Sequence, residues 1–335
     1  MKAVVLSEKG GPEKLAIQEI TTPQPQPGEV RVKLKTSALN RRDYWMTLGL
    51  YPHMQLPCTP GSDGAGEVES VGEGVDKSLI GHEVVLYPAR EWGNKEAYFG
   101  PDFRVLGMPD PGTFAEYICA PAEDVYPKPV HLDWEQAAAV PLAGLTAWRS
   151  VVTQGDVKKG HKVLVTGAGS GVSTFAILWS VALGAEVYVS SGSAEKILKA
   201  KSLGAVGGMN YKEANCYQEL KKKSGGFDVI IDSAGGEALQ ELLDTLNPAG
   251  RYVFFGATLG SPAKGLEMPG LFFRQIRIQG TMMGSPREFA SMLEFLNSKK
   301  IEPVIGEIFP MEEIVKAVSL MKDYKQTGKI VLLNK

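Results

Sequence analysis

Three groups of residues in this chain have the types and spacing to do chemistry. The first is residues 162–184, KVLVTGAGSGVSTFAILWSVALG. Val163, Leu164 and Val165 make the short apolar run of a buried parallel strand. Gly167, Gly169 and Gly171 then mark a tight turn. From Val172 onward, apolar residues recur at Phe175, Ala176, Trp179, Ala182 and Leu183 with a helical period, and Gly184 is a natural stop. Strand, glycine turn and helix N-terminus, in that order, let backbone N–H groups approach a pyrophosphate closely. Ser173 stands where a third glycine is expected, and is small enough for helix and strand to pack. Taken alone, the spacing also fits a glycine-rich turn with no ligand.

The second group lies at the tip of the following strand. An acidic residue about 20 residues past such a turn hydrogen-bonds the ribose 2′-OH of NAD. Here the tip reads Ser190-Ser191-Gly192-Ser193, and the first acid, Glu195, falls inside the next helix beside Lys196. Hydroxyls, a helix N-terminus and a lysine suit a 2′-phosphate, so the cofactor expected is NADPH rather than NADH. The plainer reading makes Ser193 a helix cap and Lys196 a solvated lysine. Tyr211, after the next strand, is placed to flank an adenosine phosphate or to sit half-buried on the surface.

The third group is polar residues in glycine-rich loops: Asn40-Arg41-Arg42-Asp43 and Ser62-Asp63. Neither supplies a thiolate or an imidazole. The four histidines, His53, His82, His131 and His161, are far apart and pair with no cysteine at ligand spacing. A tetrahedral zinc set is not expected.

The elements that must position these groups fall into two styles. Residues 1–127 alternate short β-like runs with Pro- and Gly-rich turns, and carry no helix longer than 40–48, as a compact β-barrel does. From about 128 the chain turns to helix and strand in alternation, the rhythm of a doubly wound parallel sheet. Right-handed crossovers bring the strand ends to one edge, where Gly167, Ser190-Ser191, Asp232-Ser233 and Gly256-Ala257 converge. A helix is expected over 286–299 and another over 311–321, with strands over 252–256 and 329–333. The tail is placed to return to the first domain. The expected division is 1–127 with 286–335, and 128–285 between them.

Composition adds bounds. A chain of 335 residues has room for two domains, and a net charge of −2 gives no general affinity for nucleic acid. Three scattered cysteines, Cys58, Cys119 and Cys216, suit a reducing compartment. No apolar run reaches the roughly 18 residues a membrane helix needs, and the N-terminus does not read as a signal peptide. A cytoplasmic protein without membrane partners is expected.

Together these segments resemble the medium-chain dehydrogenase/reductases, most of all the zinc-free NADPH:quinone oxidoreductase (zeta-crystallin-like) branch. The resemblance spans nearly the whole chain and is carried by ALNRRDYWMTLGLYP (38–52), PGSDGAGEVESVGEGV (60–75), LAGLTAW (142–148), VLVTGAGSGVS (163–173), SGSAEKILKAKSLGA (191–205), FDVIIDSAGG (227–236) and GKIVL (328–332). It implies a GroES-like catalytic domain built from both chain ends and a Rossmann domain between them, with the active site in the cleft. In the zinc relatives a cysteine stands at the place of Asn40 and a His-Glu pair at Ser62-Asp63. Those relatives also carry a lobe with four close cysteines, whereas residues 88–112 here hold none.

The resemblance further implies that Asn40 and Asp43 line the nicotinamide side and that Thr146 touches the cofactor. Gly167, Gly169, Gly171 and Val172 would serve the pyrophosphate, and Ser191, Lys196 and Tyr211 the 2′-phosphate. Ser233, Gly256 and Thr258 would lie near ribose and nicotinamide, with Met283 and Lys329 closing the site. Tyr51 matches a tyrosine at the substrate mouth, there to donate a hydrogen bond or to pack. A homodimer through the strand at 276–281 is implied as well.

Without a metal, an acceptor whose new negative charge delocalises onto oxygen is favoured, hence a quinone or an α,β-unsaturated carbonyl, with the proton drawn from water or Tyr51. An unactivated alcohol needs its proton removed, which zinc assists. The rival readings are an enoyl-thioester reductase, with Arg41, Arg42 and Arg90 as candidates to hold phosphates, a zinc-type alcohol dehydrogenase homologue, and an NADPH-binding protein without turnover.

Overall fold

The computed structural model describes residues 1–262 and 265–334. They form two units, Met1–Ala143 with Ser285–Lys335, and Gly144–Gly284.

The first unit opens with β1 (Lys2–Leu6) and β2 (Leu15–Glu19), an antiparallel pair. Then come β3 (Glu29–Ala38), α1 (Arg41–Thr47), β4 (Asp63–Val71), β5 (Glu83–Leu86), β6 (Ala89–Arg90), β7 (Arg104–Val105), β8 (Tyr117–Pro121), β9 (Val125–Pro127) and α2 (Trp134–Ala139). Burial alternates along β3, with Val30, Val32 and Leu34 buried, as a strand with one face on a core requires. β6 and β7 pair within the lobe 88–112. There the rings of Trp92, Phe99 and Phe103 pack together at 4.6–5.9 Å, and Arg104 Nε donates to Asp110 Oδ2 at 2.9 Å. Aromatic packing thus supplies this cysteine-free lobe with a core of its own.

α3 (Pro141–Trp148) leads into the second unit: β10 (Lys162–Thr166), α4 (Gly171–Ala182), β11 (Glu186–Ser191), α5 (Ala194–Ser202), β12 (Gly207–Asn210), α6 (Cys216–Ser224), β13 (Phe227–Asp232), α7 (Leu239–Thr245), β14 (Leu246–Phe254), α8 (Met268–Phe273) and β15 (Arg277–Gly280). The six strands are all parallel, in the order β12-β11-β10-β13-β14-β15. Counted from β10 this is 3-2-1-4-5-6, the doubly wound dinucleotide order, with its switch point between β10 and β13. Val163, Leu164, Val165, Val229, Ile230 and Ile231 are all buried at that centre, because helices cover both faces of a parallel sheet.

The chain then returns through α9 (Pro286–Lys299), β16 (Ile305–Pro310), α10 (Ile314–Ser319) and β17 (Lys329–Leu333). β17 pairs with the end of β3, Val331 facing Ala38, while β8 pairs with the start of β3 and β4 lies along its other side. Thus β3 joins the returning C-terminal strand to the strands of the unit's N-terminal segment.

Three expectations need correction. The expected boundary at 128 moves to Ala143–Gly144. Asp133 caps α2, accepting from Gln136 N–H at 2.7 Å. The buried Ala137, Ala138 and Ala139 of α2, however, pack on β3, β4 and β17 of the first unit. The strand expected from 252 begins at Leu246, since the Asn247–Gly250 stretch is a register shift within β14 rather than a turn before it. The helix expected over 311–321 is a short 3-10 turn followed by α10.

Candidate functional site

In the second unit the site forms at the C-terminal ends of β10, β11, β13 and β14. β10 stops at Thr166, and Gly167 takes φ +63°, a left-handed conformation that a side chain would strain. Ser170 caps α4, accepting from Ser173 N–H at 3.1 Å. Ser173 itself is fully buried and donates its hydroxyl to the Thr166 carbonyl at 2.9 Å. The departure from a third glycine thus satisfies a strand-end acceptor at the tight helix–strand contact. Gly171 and Val172 are the first residues of α4, whose N-terminal N–H groups favour negative charge.

A Cβ on Gly169 would come within 2.4–2.9 Å of Lys196 Cδ, Cε and Nζ, so the lysine lies across the turn. A Cβ on Gly192 would lie 2.7 Å from Tyr211 Oη and 3.0 Å from Lys212 Cε. Ser191 Oγ accepts from Ser193 N–H at 3.3 Å. The glycine turn, Ser191, Lys196 and Tyr211 therefore share one end of the sheet. Lys212 stands there as well; its place directly after Tyr211 was the available signal.

A second group gathers at the switch point. A Cβ on Gly167 would be 3.1 Å from Ser233 Oγ, and one on Gly256 3.0 Å from the Ser233 carbonyl. Thr258 donates its N–H to that carbonyl at 3.4 Å. Buried Asp232, missed as a site residue, fixes this turn: it accepts from the Thr166 hydroxyl, from Tyr252 Oη at 2.6 Å and from Gly235 N–H at 2.7 Å. Burial, then the charge of Asp232, holds the Tyr252 hydroxyl firmly protonated. Thr146 is buried on α3, its carbonyl accepting from Ser150 Oγ at 2.7 Å. Met283 is buried after β15 with φ +53°.

In the first unit a buried polar cluster forms at the joint of β3, α1, β4 and β17. Asn40 Nδ2 donates to Asp63 Oδ2 at 2.9 Å, and Asn40 N–H donates to Asp43 Oδ2 at 2.7 Å. Lys329 Nζ donates to the Leu39 carbonyl at 2.8 Å, and to Asn40 Oδ1 and Asp63 Oδ2 at 2.7 Å each. Asp63 Oδ1 accepts from Leu142 N–H at 2.7 Å. The sequence singles out Ser62-Asp63 only as a loop without thiolate or imidazole; the partner of Asp63 lies 266 residues away, and no local spacing announces the pair. Arg42 Nη1 donates to Ser62 Oγ at 2.7 Å and to the Leu106 carbonyl. Arg42 Cζ lies 4.6 Å from the ring centre of half-buried Tyr51. Burial pushes Asp43 up to about 6, against the pull of Arg42, the Asn40 N–H and Lys329.

A model for the alcohol dehydrogenase GroES-like domain matches residues 26–130, and one for zinc-binding dehydrogenases matches residues 171–298. A zinc-type alcohol dehydrogenase-like protein, YogA, of Leptosphaeria maculans is 36% identical, over 95% of this chain and 94% of its own. The chain belongs to the medium-chain dehydrogenase/reductase superfamily. A mouse quinone oxidoreductase is 30% identical over 99% of this chain and 98% of its own. A crystal structure described as an NAD-dependent alcohol dehydrogenase superposes with a TM-score of 0.94 at 36% identity, covering 99% of each chain. The fold is thus the GroES-like domain plus the Rossmann-type parallel-sheet domain of this superfamily.

The superfamily brings a nicotinamide dinucleotide, and in some members zinc. The dinucleotide fits the residues present: at the N-terminus of α4 the backbone of the turn is bare at Gly169, with only the flexible end of Lys196 lying across it. Zinc does not fit them. Asn40 and Ser62 offer an amide and a hydroxyl, both already engaged with Lys329 and Arg42. Among the described residues no three His, Cys, Asp or Glu side chains are grouped to hold a metal. Nor is any helix of the described residues long and apolar enough to cross a membrane.

Proposed function

We propose that this chain reduces a quinone or an α,β-unsaturated carbonyl with NADPH and without a metal. The observation that carries the reading is Lys329. Its ammonium already neutralises Asp63 and occupies Asn40, where zinc relatives place ligands. A divalent ion beside it would meet a buried like charge. Bound NADPH supplies the hydride. The chain's own residues hold the pyrophosphate at Gly167–Val172, take the 2′-phosphate at Ser191, Lys196 and Tyr211, and fix the ribose end at Ser233, Gly256 and Thr258. Asn40 and Asp43 shape the acceptor side, and Tyr51 or water gives the proton.

The tip of β11 supports NADPH, since it carries hydroxyls and no carboxylate. A second reading, alcohol oxidation, is favoured by the names of two relatives, one of which is described as NAD-dependent. Steady-state rates with a small quinone, crotonyl-CoA and a primary alcohol separate the readings. Fastest reduction of the quinone with NADPH supports the proposal, and alcohol-dependent reduction of NAD overturns it.

The quaternary expectation stays a homodimer. β15 ends the six-stranded sheet with all four residues exposed, and Phe272 and Phe273 beside it are exposed. An unpaired edge flanked by apolar side chains suits pairing with a second copy, which sedimentation would register as twice the chain mass.

A further inference from the structure

We infer that Arg42 is the donor that takes the negative charge on the acceptor's oxygen. The inference rests on the reading of the reaction given above. Hydride arriving at a conjugated carbonyl leaves an electron pair on oxygen, and donors aimed at that oxygen lower the barrier. Two cations are buried at the first unit's polar cluster, and they differ in what they have left to give. Lys329 has spent all three N–H groups, on Leu39, Asn40 and Asp63. Arg42 has not. Among the described residues only Nη1 is engaged, with Ser62 and Leu106, while Nε and Nη2, three N–H groups in all, are buried without a hydrogen-bond partner.

Unsatisfied guanidinium N–H groups are costly to bury. Arg42 is only 9% exposed, so bulk water does not relieve that cost. Asp43 faces Arg42 and offsets part of its charge, yet makes no hydrogen bond to it among the described residues, so the Nε–Nη2 edge of the planar fork keeps two parallel N–H groups to give an oxygen. Its place matters too. Nη1 holds Ser62, one of the positions where zinc relatives put a ligand, so a fixed positive charge stands beside the place of the metal. The ring of Tyr51 lies over the guanidinium, 4.6 Å from Cζ, which places the proposed proton donor beside the proposed oxyanion donor.

The step balances simply. The hydride pair adds to the acceptor carbon; the carbon–oxygen π pair passes to oxygen, and where the hydride enters at the far end of a conjugated system the carbon–carbon π pair shifts into the bond beside the carbonyl, giving an enolate. NADPH is oxidised. Arg42 holds the resulting oxyanion and transfers no proton, and water or Tyr51 later protonates the product.

The test uses the full chain and the variants Arg42→Met, Arg42→Lys and Arg42→Ala, with folding followed by circular dichroism and NADPH affinity by fluorescence. kcat/KM for the acceptor is expected to fall about 100- to 1000-fold in Arg42→Met. It should fall less in Arg42→Lys, and guanidinium ion should restore part of the rate in Arg42→Ala; NADPH affinity should not change. A folded Arg42→Met with native NADPH affinity and native rate overturns the inference. A second readout needs no turnover: 4-nitrophenolate, an oxyanion with delocalised charge, should bind the wild-type chain with a shifted absorption band, and Arg42→Met should lose it. If the wild type reduces no conjugated carbonyl, the proposed reaction fails and phenolate binding alone decides Arg42. No phenolate binding by the wild type overturns the assignment even if the variants do not fold.

Discussion

Lys329 Nζ stands 2.7 Å from Asp63 Oδ2, both side chains all but sealed from solvent. One opens β17 and the other opens β4, on either side of the end of β3. The pair therefore joins the returning C-terminal strand to the N-terminal sheet. A buried pair adds little over an apolar one, but breaking it strands a charge. Lys329→Met should lower stability by about 3–5 kcal/mol in urea, and Lys329→Met with Asp63→Asn should recover part of that loss. Equal stability of Lys329→Met and wild type would contradict the pairing.

Asp43 gives the cluster a pH signature. Burial raises its carboxyl to about 6 from the ordinary 3.8, so the folded chain holds this proton more tightly than the unfolded chain. Its contribution is complete below about pH 4 and is lost as the pH rises through about 6. Asp43→Asn stays neutral and escapes the loss. Between pH 4 and 7 the variant should gain on wild type by on the order of 3 kcal/mol, read from urea midpoints across that range. A constant difference would mean that Asp43 titrates as a solvated carboxyl.

The glycine turn separates binding from folding. A Cβ at Gly169 meets only the flexible end of Lys196. Gly169→Val should therefore fold normally, with a melting temperature within a few degrees of wild type, yet lose about 100-fold or more in NADPH affinity because the pyrophosphate can no longer approach. Native affinity in this variant would remove the turn from the site.

Lys196 is expected to read the phosphate rather than the nucleotide as a whole. Lys196→Ala should weaken NADPH about tenfold or more while leaving NADH nearly unchanged, since only the former brings a charge for it to meet. Fluorescence titrations with both nucleotides measure the ratio. An equal loss for each would show that Lys196 acts on the turn beneath it instead.

Much of the fold is legible along the chain. α9 and β17 run over the residues expected of them, and β1 and β13 follow continuous apolar runs; such runs and the Ser285–Glu288 capping box are local signals. Other elements hide for local reasons too. α8 is Met268–Phe273, with Pro269 and Gly270 inside a turn and a half of which only Leu271 is buried. β16 carries Gly306, ends at Pro310 and is mostly exposed, so it shows no alternation. The nucleotide side of the site is legible because the strand order brings successive strand ends together. The polar cluster of the first unit is not, since Lys329 and Asp63 meet only through β3. Arg42, inside an Arg-Arg pair, fits in sequence either a phosphate-holding residue or a solvated loop, and only the structure shows it buried against Ser62 and Leu106.

The most direct measurement is NADPH oxidation by 9,10-phenanthrenequinone and by a simple enone, with NADH in parallel and zinc assayed on the same sample. Turnover that prefers NADPH, in protein holding far less than one zinc per chain, is the result expected from Lys329 at Asp63 and Lys196 over Gly169. Stoichiometric zinc, with NAD reduced by an alcohol and no quinone turnover, would contradict it.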